Sequence, residues 1–485
     1  MDEEGVLKMF ELQKGRKVYL MGICGTAMAS LAGIFKSLGL EVAGSDQNVY
    51  PPMSTMLENL KIPVFNGYSE ENIKKFQPDF VVVGNVISRT NPEAAYLLST
   101  DIPYTSLPKA MGEFVIGERE SFVVSGTHGK TTTTSLLSWV LEGLGRAPGF
   151  LIGGIPLNFP SSFRAPQQNT FAIEGDEYDT AFFDKVPKFV HYKPKHVILT
   201  SIEFDHADIY KDLSEVKKAF QTLLELIPED GTLIYNAEDE NIRSLLGYCR
   251  AQKVSYGIEE GDYSISDREN VFGRNQFRVF KTGGGDGVGA RKSVGDVALK
   301  VFGKHNTMNA LAVFALAHTL GWDQGKVLSA MASFLGVKRR QEVLLENKDY
   351  ALVEDFAHHP TAVKLTLESM REKYPGRRLL AVFEPRSATS RRKVFQKDFE
   401  EAFKSSDALF LATPYDTSKI AESERFSSEE VVNSLKAQGK TAFLGAGADE
   451  LVQEIATFKR PGDVVLVMSN GGFDGIYVKL KKILS

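Results

Sequence analysis

Residues 121–134, Ser-Phe-Val-Val-Ser-Gly-Thr-His-Gly-Lys-Thr-Thr-Thr-Thr, carry an apolar strand through a glycine turn and a lysine into a threonine-rich helix start. A strand that hands over to a helix this abruptly belongs to an α/β sheet whose helix N-terminus faces an anion. Gly126 and Gly129 let backbone N–H groups face phosphate oxygens, Lys130 can bridge them, and the Thr131 hydroxyl is a hard oxygen ligand for Mg²⁺. With Thr127, His128 and Thr132 the loop reads Gly-x-x-Gly-Lys-Thr, a shortened form of the Walker pattern, whose first glycine would fall at Val124. An ordinary strand–turn–helix with a solvated lysine is the alternative reading.

Around this loop stand 485 residues, too many for one core, so two to four domains are expected. The net charge of -5 arises from 57 basic and 62 acidic residues mixed along the chain, which leaves no basic stripe for nucleic acid and no membrane-surface helix. No apolar run approaches the roughly 18 residues of a membrane span, and the opening Met1-Asp-Glu-Glu-Gly has no secretory character, so a cytoplasmic protein is expected. Two cysteines, Cys24 and Cys249, exclude a disulfide framework and a zinc site, and Cys24 reads as a small packing residue in a glycine loop.

Three segments follow one another. In the first, expected over 1–108, a strand ending at Met21 opens onto Gly22-Ile-Cys-Gly25-Thr26, an amphipathic run reaches Leu38, and a second strand ends Gly44-Ser45-Asp46. This is a Rossmann-like entry with an incomplete glycine fingerprint. On its own it admits NAD, another nucleotide, or close helix–strand packing. In the second, expected over 109–336, two apolar strands run into acids, Glu174-Gly-Asp176-Glu177-Tyr-Asp179 and Glu203-Phe-Asp205-His206-Ala-Asp208. Carboxylates at strand ends beside a phosphate loop suit Mg²⁺, with Glu174 and His206 as candidate ligands. Beyond Asp230 shorter alternating strands flank the glycine-rich Thr282-Gly-Gly-Gly-Asp-Gly-Val-Gly289, a pattern that predicts an antiparallel hairpin. Asn306 and Asn309 then share one helix face, where Asn can pair with an adenine edge or Asn306 can cap the helix. The third segment, expected over 337–485, alternates strands and helices as another doubly wound sheet. Its strand ends carry Asp355-Phe-Ala-His358-His359-Pro360, Glu384-Pro-Arg386-Ser387 and Ser469-Asn470-Gly-Gly472. The fold class is therefore α/β in three domains: a Rossmann-like N-terminal domain, a central P-loop ATPase-like domain with an accessory antiparallel sheet, and a Rossmann-like C-terminal domain.

Taken in order, Gly22-Ile-Cys-Gly25-Thr, Gly126-Thr-His-Gly-Lys-Thr-Thr132, Glu174, Asp205-His206, Gly303-Lys-His-Asn306-Thr-Met-Asn309, Arg339-Arg340 and Asp355-Phe-Ala-His358-His359-Pro360 resemble the Mur ligase family over nearly the whole chain. The resemblance implies a first domain that holds UDP-N-acetylmuramate, with Gly22, Gly25, Thr26, Ser45 and Asp46 on the uridine nucleotide. It implies ATP in the central domain: Lys130 on the β- and γ-phosphates, Thr131 and Glu174 on one Mg²⁺, and His206 on a second. Asn306 and Asn309 would then meet adenine, Asp355 the ribose, and Arg339 or Arg340 the phosphates. Longer stretches, among them Glu174 to Lys185 with Phe189-Val-His-Tyr192, are similar to family members whose amine substrate is L-alanyl-γ-D-glutamyl-meso-diaminopimelate, with Arg386, Ser469 and Asn470 in the amine pocket. Several relatives carry a carbamylated lysine after the Asp-His motif; here Val216-Lys-Lys-Ala-Phe-Gln221 offers none in register. The rival readings are a UDP-N-acetylmuramate:L-alanine ligase, an ATP-driven switch or binding protein, and an NAD-dependent oxidoreductase. The last leaves the phosphate loop unexplained.

Overall fold

The structure, a computed structural model, describes residues 13–49, 53–205, 209–266, 268–283, 291–418 and 420–485. In the first domain five parallel strands lie in the spatial order Val64–Asn66, Glu41–Asp46, Lys17–Met21, Phe80–Val83, Tyr104–Ser106. Strand order reverses on either side of Lys17–Met21, so Gly22 sits at the mouth of the crevice where such sheets take ligands. The helix Thr26–Ser37 buries every residue from Met28 to Phe35 because it is covered on two sides. A Cβ on its Gly33 would lie 2.1 Å from the Phe163 ring of the next domain, so the first domain docks through a position that only glycine allows.

The central sheet has eleven strands. Its parallel part runs Gln252–Tyr256, Thr232–Asn236, His196–Leu199, Glu120–Ser125, Thr170–Gly175, Gly149–Leu151. The expected hairpin is present, Arg274–Thr282 against Arg291–Leu299, and its tip at 284–290 lies outside the described residues. The accessory antiparallel sheet is not separate, however. One parallel pair, Tyr256 opposite Tyr263, joins it to the main sheet, so the two form one continuous surface. Helix Lys304–Thr319 is buried at every position from Asn306 to Ala317. Its small residues and apolar circumference suit a helix packed against both the sheet and helix Lys130–Gly143.

The third sheet has six strands in the order Glu342–Glu346, Ala351–Asp355, Val464–Met468, Leu379–Phe383, Ala408–Ala412, Thr441–Gly445. The first is antiparallel and the others parallel. Four of the inner strands are buried throughout, as expected of a parallel sheet covered on both faces. Asp355 ends one strand, Glu384 and Ser469 follow the next two, and the three therefore converge at one sheet end.

Candidate active site

The phosphate loop is held by contacts that dictate its sequence. Gly126 has φ +129°, and a Cβ there would lie 2.2 Å from Thr200 Oγ1 and 2.9 Å from Ser201 N, so no other residue fits. Thr127 N donates to Ser201 O (2.9 Å) and His128 N to Ser201 Oγ (3.1 Å), which tie the loop to the end of the neighbouring strand. Gly129, at φ +83°, caps helix Lys130–Gly143. Lys130 Nζ donates to Gly126 O (2.7 Å) and Glu177 Oε2 (3.2 Å) and lies 3.7 Å from Asp176. Thr131 Oγ1 donates to Glu174 Oε2 (2.9 Å), and Gly153 N donates to Glu174 Oε1 (2.5 Å). Burial, with the charge of Asp176 beside it, raises the Glu174 carboxyl above its ordinary range. Asp176 is buried too, but Lys188 and Lys130 hold its carboxyl well below that range.

These groups open into a cavity of about 880 Å³ whose walls come from all three domains: Thr26 and Leu107 from the first, Lys130 and Glu174 from the second, Arg340 and His358 from the third. Asp355 lines it as well. Its two oxygens accept from Gln341 N (2.8 Å) and Ala357 N (2.7 Å), fixing the carboxylate while leaving a lone pair on each oxygen. Thr131 and Glu174 supply adjacent hard oxygens on the cavity wall, a donor set that fits Mg²⁺. His206 lies outside the described residues.

Several expectations are corrected by burial. The helix cap is Gly303, not Asn306. Asn306 lines the cavity with Asn309 and commits one of its two amide N–H groups to Phe302 O (2.7 Å). Asn309 sits under the phosphate loop, its Oδ1 2.6 Å from where a Gly129 Cβ would be. Of the two arginines, Arg339 braces the third domain, bonded to Glu354 Oε1 (2.6 Å) and the carbonyls of Ser469 and Gly471, while Arg340 faces the cavity. Ser45 is fully buried and donates to Glu93 Oε2, and Ser469 is fully buried and donates to Glu384 Oε2, so neither hydroxyl is offered to a ligand. Asp46 caps the glycine loop, accepting from Cys24 N and Asn48 N (both 2.9 Å). Burial and Asp46 push the Cys24 thiol up to about 11, the opposite of an activated thiolate. Gly22, Gly25, Arg386 and Asn470 stand apart from the lining of the large cavity; Arg386 stacks 3.8 Å from the Tyr415 ring centre and covers Gly471.

The structure also gives tasks to residues that the sequence patterns left without an individual role. Glu203 accepts from Thr361 Oγ1 (2.8 Å) of the third domain and lies 3.3 Å from His128 Nε2 of the phosphate loop, joining the two. Lys188, from a short 3-10 helix, reaches Asp176 Oδ2 at 2.8 Å. The repeated acids hinted at cations nearby, but nothing in the local pattern said which lysine. His305 lines the cavity half-buried, and desolvation, aided by Arg340, holds its imidazole down to about 4. Its folded value is below the roughly 6.5 of an unfolded His, so the unfolded chain takes up the proton first. Stability is therefore full above about 6.5 and falls as pH drops towards 4, by on the order of 2–3 kcal/mol. A melting-temperature series over that range should show the fall, with a shallower slope in His305→Gln; equal slopes would assign the acid sensitivity elsewhere.

A lysine and threonine on a phosphate loop, facing a cleft walled by two further α/β domains, define a nucleotide site that can present a phosphate chain to molecules held by its neighbours. The chain belongs to the Mur ligase family: residues 17–119 match its "Mur ligase family, catalytic domain", 124–317 its "Mur ligase middle domain" and 339–471 its "Mur ligase, glutamate ligase domain". It is 38% identical to the UDP-N-acetylmuramate–L-alanyl-γ-D-glutamyl-meso-2,6-diaminoheptandioate ligase of Escherichia coli K12, over 96% of this chain and 97% of that one. It is 32% identical to the UDP-N-acetylmuramate–L-alanine ligase of Clostridium tetani, over 94% and 96%. Among solved structures, a murein peptide ligase of Psychrobacter arcticus aligns with TM-score 0.70 at 33% identity over 97% and 99%. A UDP-N-acetylmuramate–alanine ligase of Thermotoga maritima aligns with TM-score 0.79 at 26% identity over 96% and 98%.

Proposed function

We propose that this ligase joins UDP-N-acetylmuramate to the α-amine of L-alanyl-γ-D-glutamyl-meso-diaminopimelate, with ATP converted to ADP and phosphate. The observation that carries this reading is the cavity itself: Lys130, Thr131 and Glu174 face a space bounded by the first and third domains, so a nucleotide sugar and an amine can meet ATP from opposite sides. The higher identity to the tripeptide ligase supports the choice of amine. The higher TM-score to an alanine ligase favours the second reading, L-alanine. A whole-chain superposition of three linked domains reports their relative placement as much as their substrates, so identity is the better guide.

A carboxylate and an amine do not condense in water without activation. The lactyl carboxylate of the sugar attacks the γ-phosphorus, the bond to ADP breaks, and an acyl phosphate forms. The tripeptide amine then adds to the carbonyl carbon and phosphate leaves. Alignment and charge neutralisation supply most of the rate. Lys130 lies on the β/γ-phosphate side, the loop N–H groups cradle the phosphates, and Arg340 contributes charge from the third domain. Thr131 and Glu174 would hold Mg²⁺, which offsets phosphate charge when bound. Asp355 accepts from ribose hydroxyls, and Arg386 receives a carboxylate of the peptide. Phosphate release with UDP-N-acetylmuramate and ATP should require the tripeptide, with a product of matching mass. Turnover with L-alanine alone would move the protein to the second reading, and turnover with neither would overturn both.

A further inference from the structure

The cavity holds a second buried lysine to which the scheme above gives no task. Lys188 has a side chain only 14% exposed, and its ammonium is 2.8 Å from Asp176 Oδ2 and 4.1 Å from the Tyr178 ring centre. An ammonium carries three N–H donors. Among the described residues its one hydrogen bond is to Asp176, while the side chain lines the cavity. Asp176 in turn lies between two cations, Lys188 on Oδ2 and Lys130 on Oδ1 at 3.7 Å.

The position of Lys188 is set by the segment that leads out of the first domain. Its helix, Lys188–Tyr192, packs on Leu107–Ala110 and Met111–Ile116, which follow the last strand of the first sheet. The approach is so close that a Cβ on Gly112 would lie 1.9 Å from His191 O. Lys188 therefore stands where the first domain meets the phosphate loop, whereas Arg340 lies towards the third domain. A carboxylate arriving from the first domain meets Glu174 and Asp176 on the cavity wall, with Lys130 and Lys188 as the cations beside them. Lys130 is committed to phosphate during the reaction, so a negatively charged nucleophile needs another cation to approach a second anion.

We propose that Lys188 is a catalytic residue that binds the substrate carboxylate and, after that carboxylate takes the γ-phosphoryl group from ATP and ADP departs, the acyl phosphate. No proton passes through it; the ammonium acts by charge and hydrogen bonding alone. The assignment rests on the proposed nucleotide-sugar substrate.

The test compares wild type, Lys188→Met, Lys188→Arg and the double variant Lys188→Met/Asp176→Asn. Wild type is assayed first with ATP, UDP-N-acetylmuramate and tripeptide. Lack of turnover there overturns the proposed reaction and this assignment with it, whereas wild-type turnover isolates the role of Lys188. In Lys188→Met, kcat/KM for UDP-N-acetylmuramate should fall at least about 30-fold. KM for ATP and the affinity for a fluorescent ADP analogue should stay within about 3-fold, since the lost cation faces the other substrate. Lys188→Arg keeps the charge and should recover part of the sugar term, which also serves if the methionine variant does not fold. The double variant should remain as impaired towards the sugar as Lys188→Met. A sugar term unchanged in Lys188→Met, an ATP term that falls in step with it, or recovery in the double variant would reduce Lys188 to a counter-ion of Asp176 and overturn the proposal.

Discussion

Lys130→Met is expected to lower kcat about 10³-fold or more, with a smaller loss of thermal stability. The side chain is 13% exposed, and its ammonium serves two sets of anions. One is internal: Gly126 O at 2.7 Å, Glu177 at 3.2 Å and Asp176 at 3.7 Å. The other is the triphosphate, whose transferring oxygens compete for the same donors. A charge that strengthens its contact as the phosphoryl group moves acts on the barrier, so the loss should fall on kcat and on kcat/KM alike. Removing it also takes from the buried Glu177 its cation at 3.2 Å, a loss on the order of 1–3 kcal/mol. Asp176 keeps Lys188, which limits the damage to the fold. Steady-state kinetics paired with a thermal melt check both parts. A variant with near wild-type kcat and a lowered melting temperature would make Lys130 a structural cation and move phosphate binding to other groups.

How much of this site could be read in the chain depends on how local each contact is. The phosphate loop was legible because its chemistry is set by consecutive residues: Gly126, Gly129, Lys130 and Thr131 meet the same strand end and helix start in any fold that contains them. Glu174 was legible for a related reason, since it ends the strand paired directly beside the loop strand, opposite Val124. The continuity of the central sheet was not, because one pair at Tyr256 and Tyr263 joins its two parts. Arg339 and Arg340 look alike in sequence, yet Arg339 has φ +60° and turns back to the Ser469 and Gly471 carbonyls, while its neighbour faces the cavity. Ser45 and Ser469 sit at strand ends where ligands bind in such sheets, but each hydroxyl points to a buried glutamate from another element. Lys188 was hidden for the converse reason. The adjoining Phe189-Val-His-Tyr192 marks a resemblance but gives the lysine no task, and its meaning comes from Asp176 and from the helices that lead out of the first sheet.

Glu174→Gln should separate the metal from the fold. The carboxylate is buried between two donors, Gly153 N on one oxygen and Thr131 Oγ1 on the other. Glutamine keeps the shape. Its carbonyl can still accept from Gly153 N, and its amide can donate to Thr131, whose hydroxyl rotates to accept. Burial already disfavours the ionised form, so the folded protein should tolerate the neutral side chain with little change in melting temperature. What the substitution removes is the negative oxygen that Mg²⁺ requires beside Thr131. Activity should fall on the order of 10³-fold, and the Mg²⁺ concentration giving half-maximal rate should rise with it. A fluorescent ADP analogue measured with and without Mg²⁺ provides the decisive comparison: in wild type the cation should tighten binding, and in Glu174→Gln most of that gain should vanish while metal-free affinity holds. If Mg²⁺ still tightens binding to the variant as it does to wild type, Glu174 is no ligand, and its place between Gly153 and Thr131 is that of a loop brace.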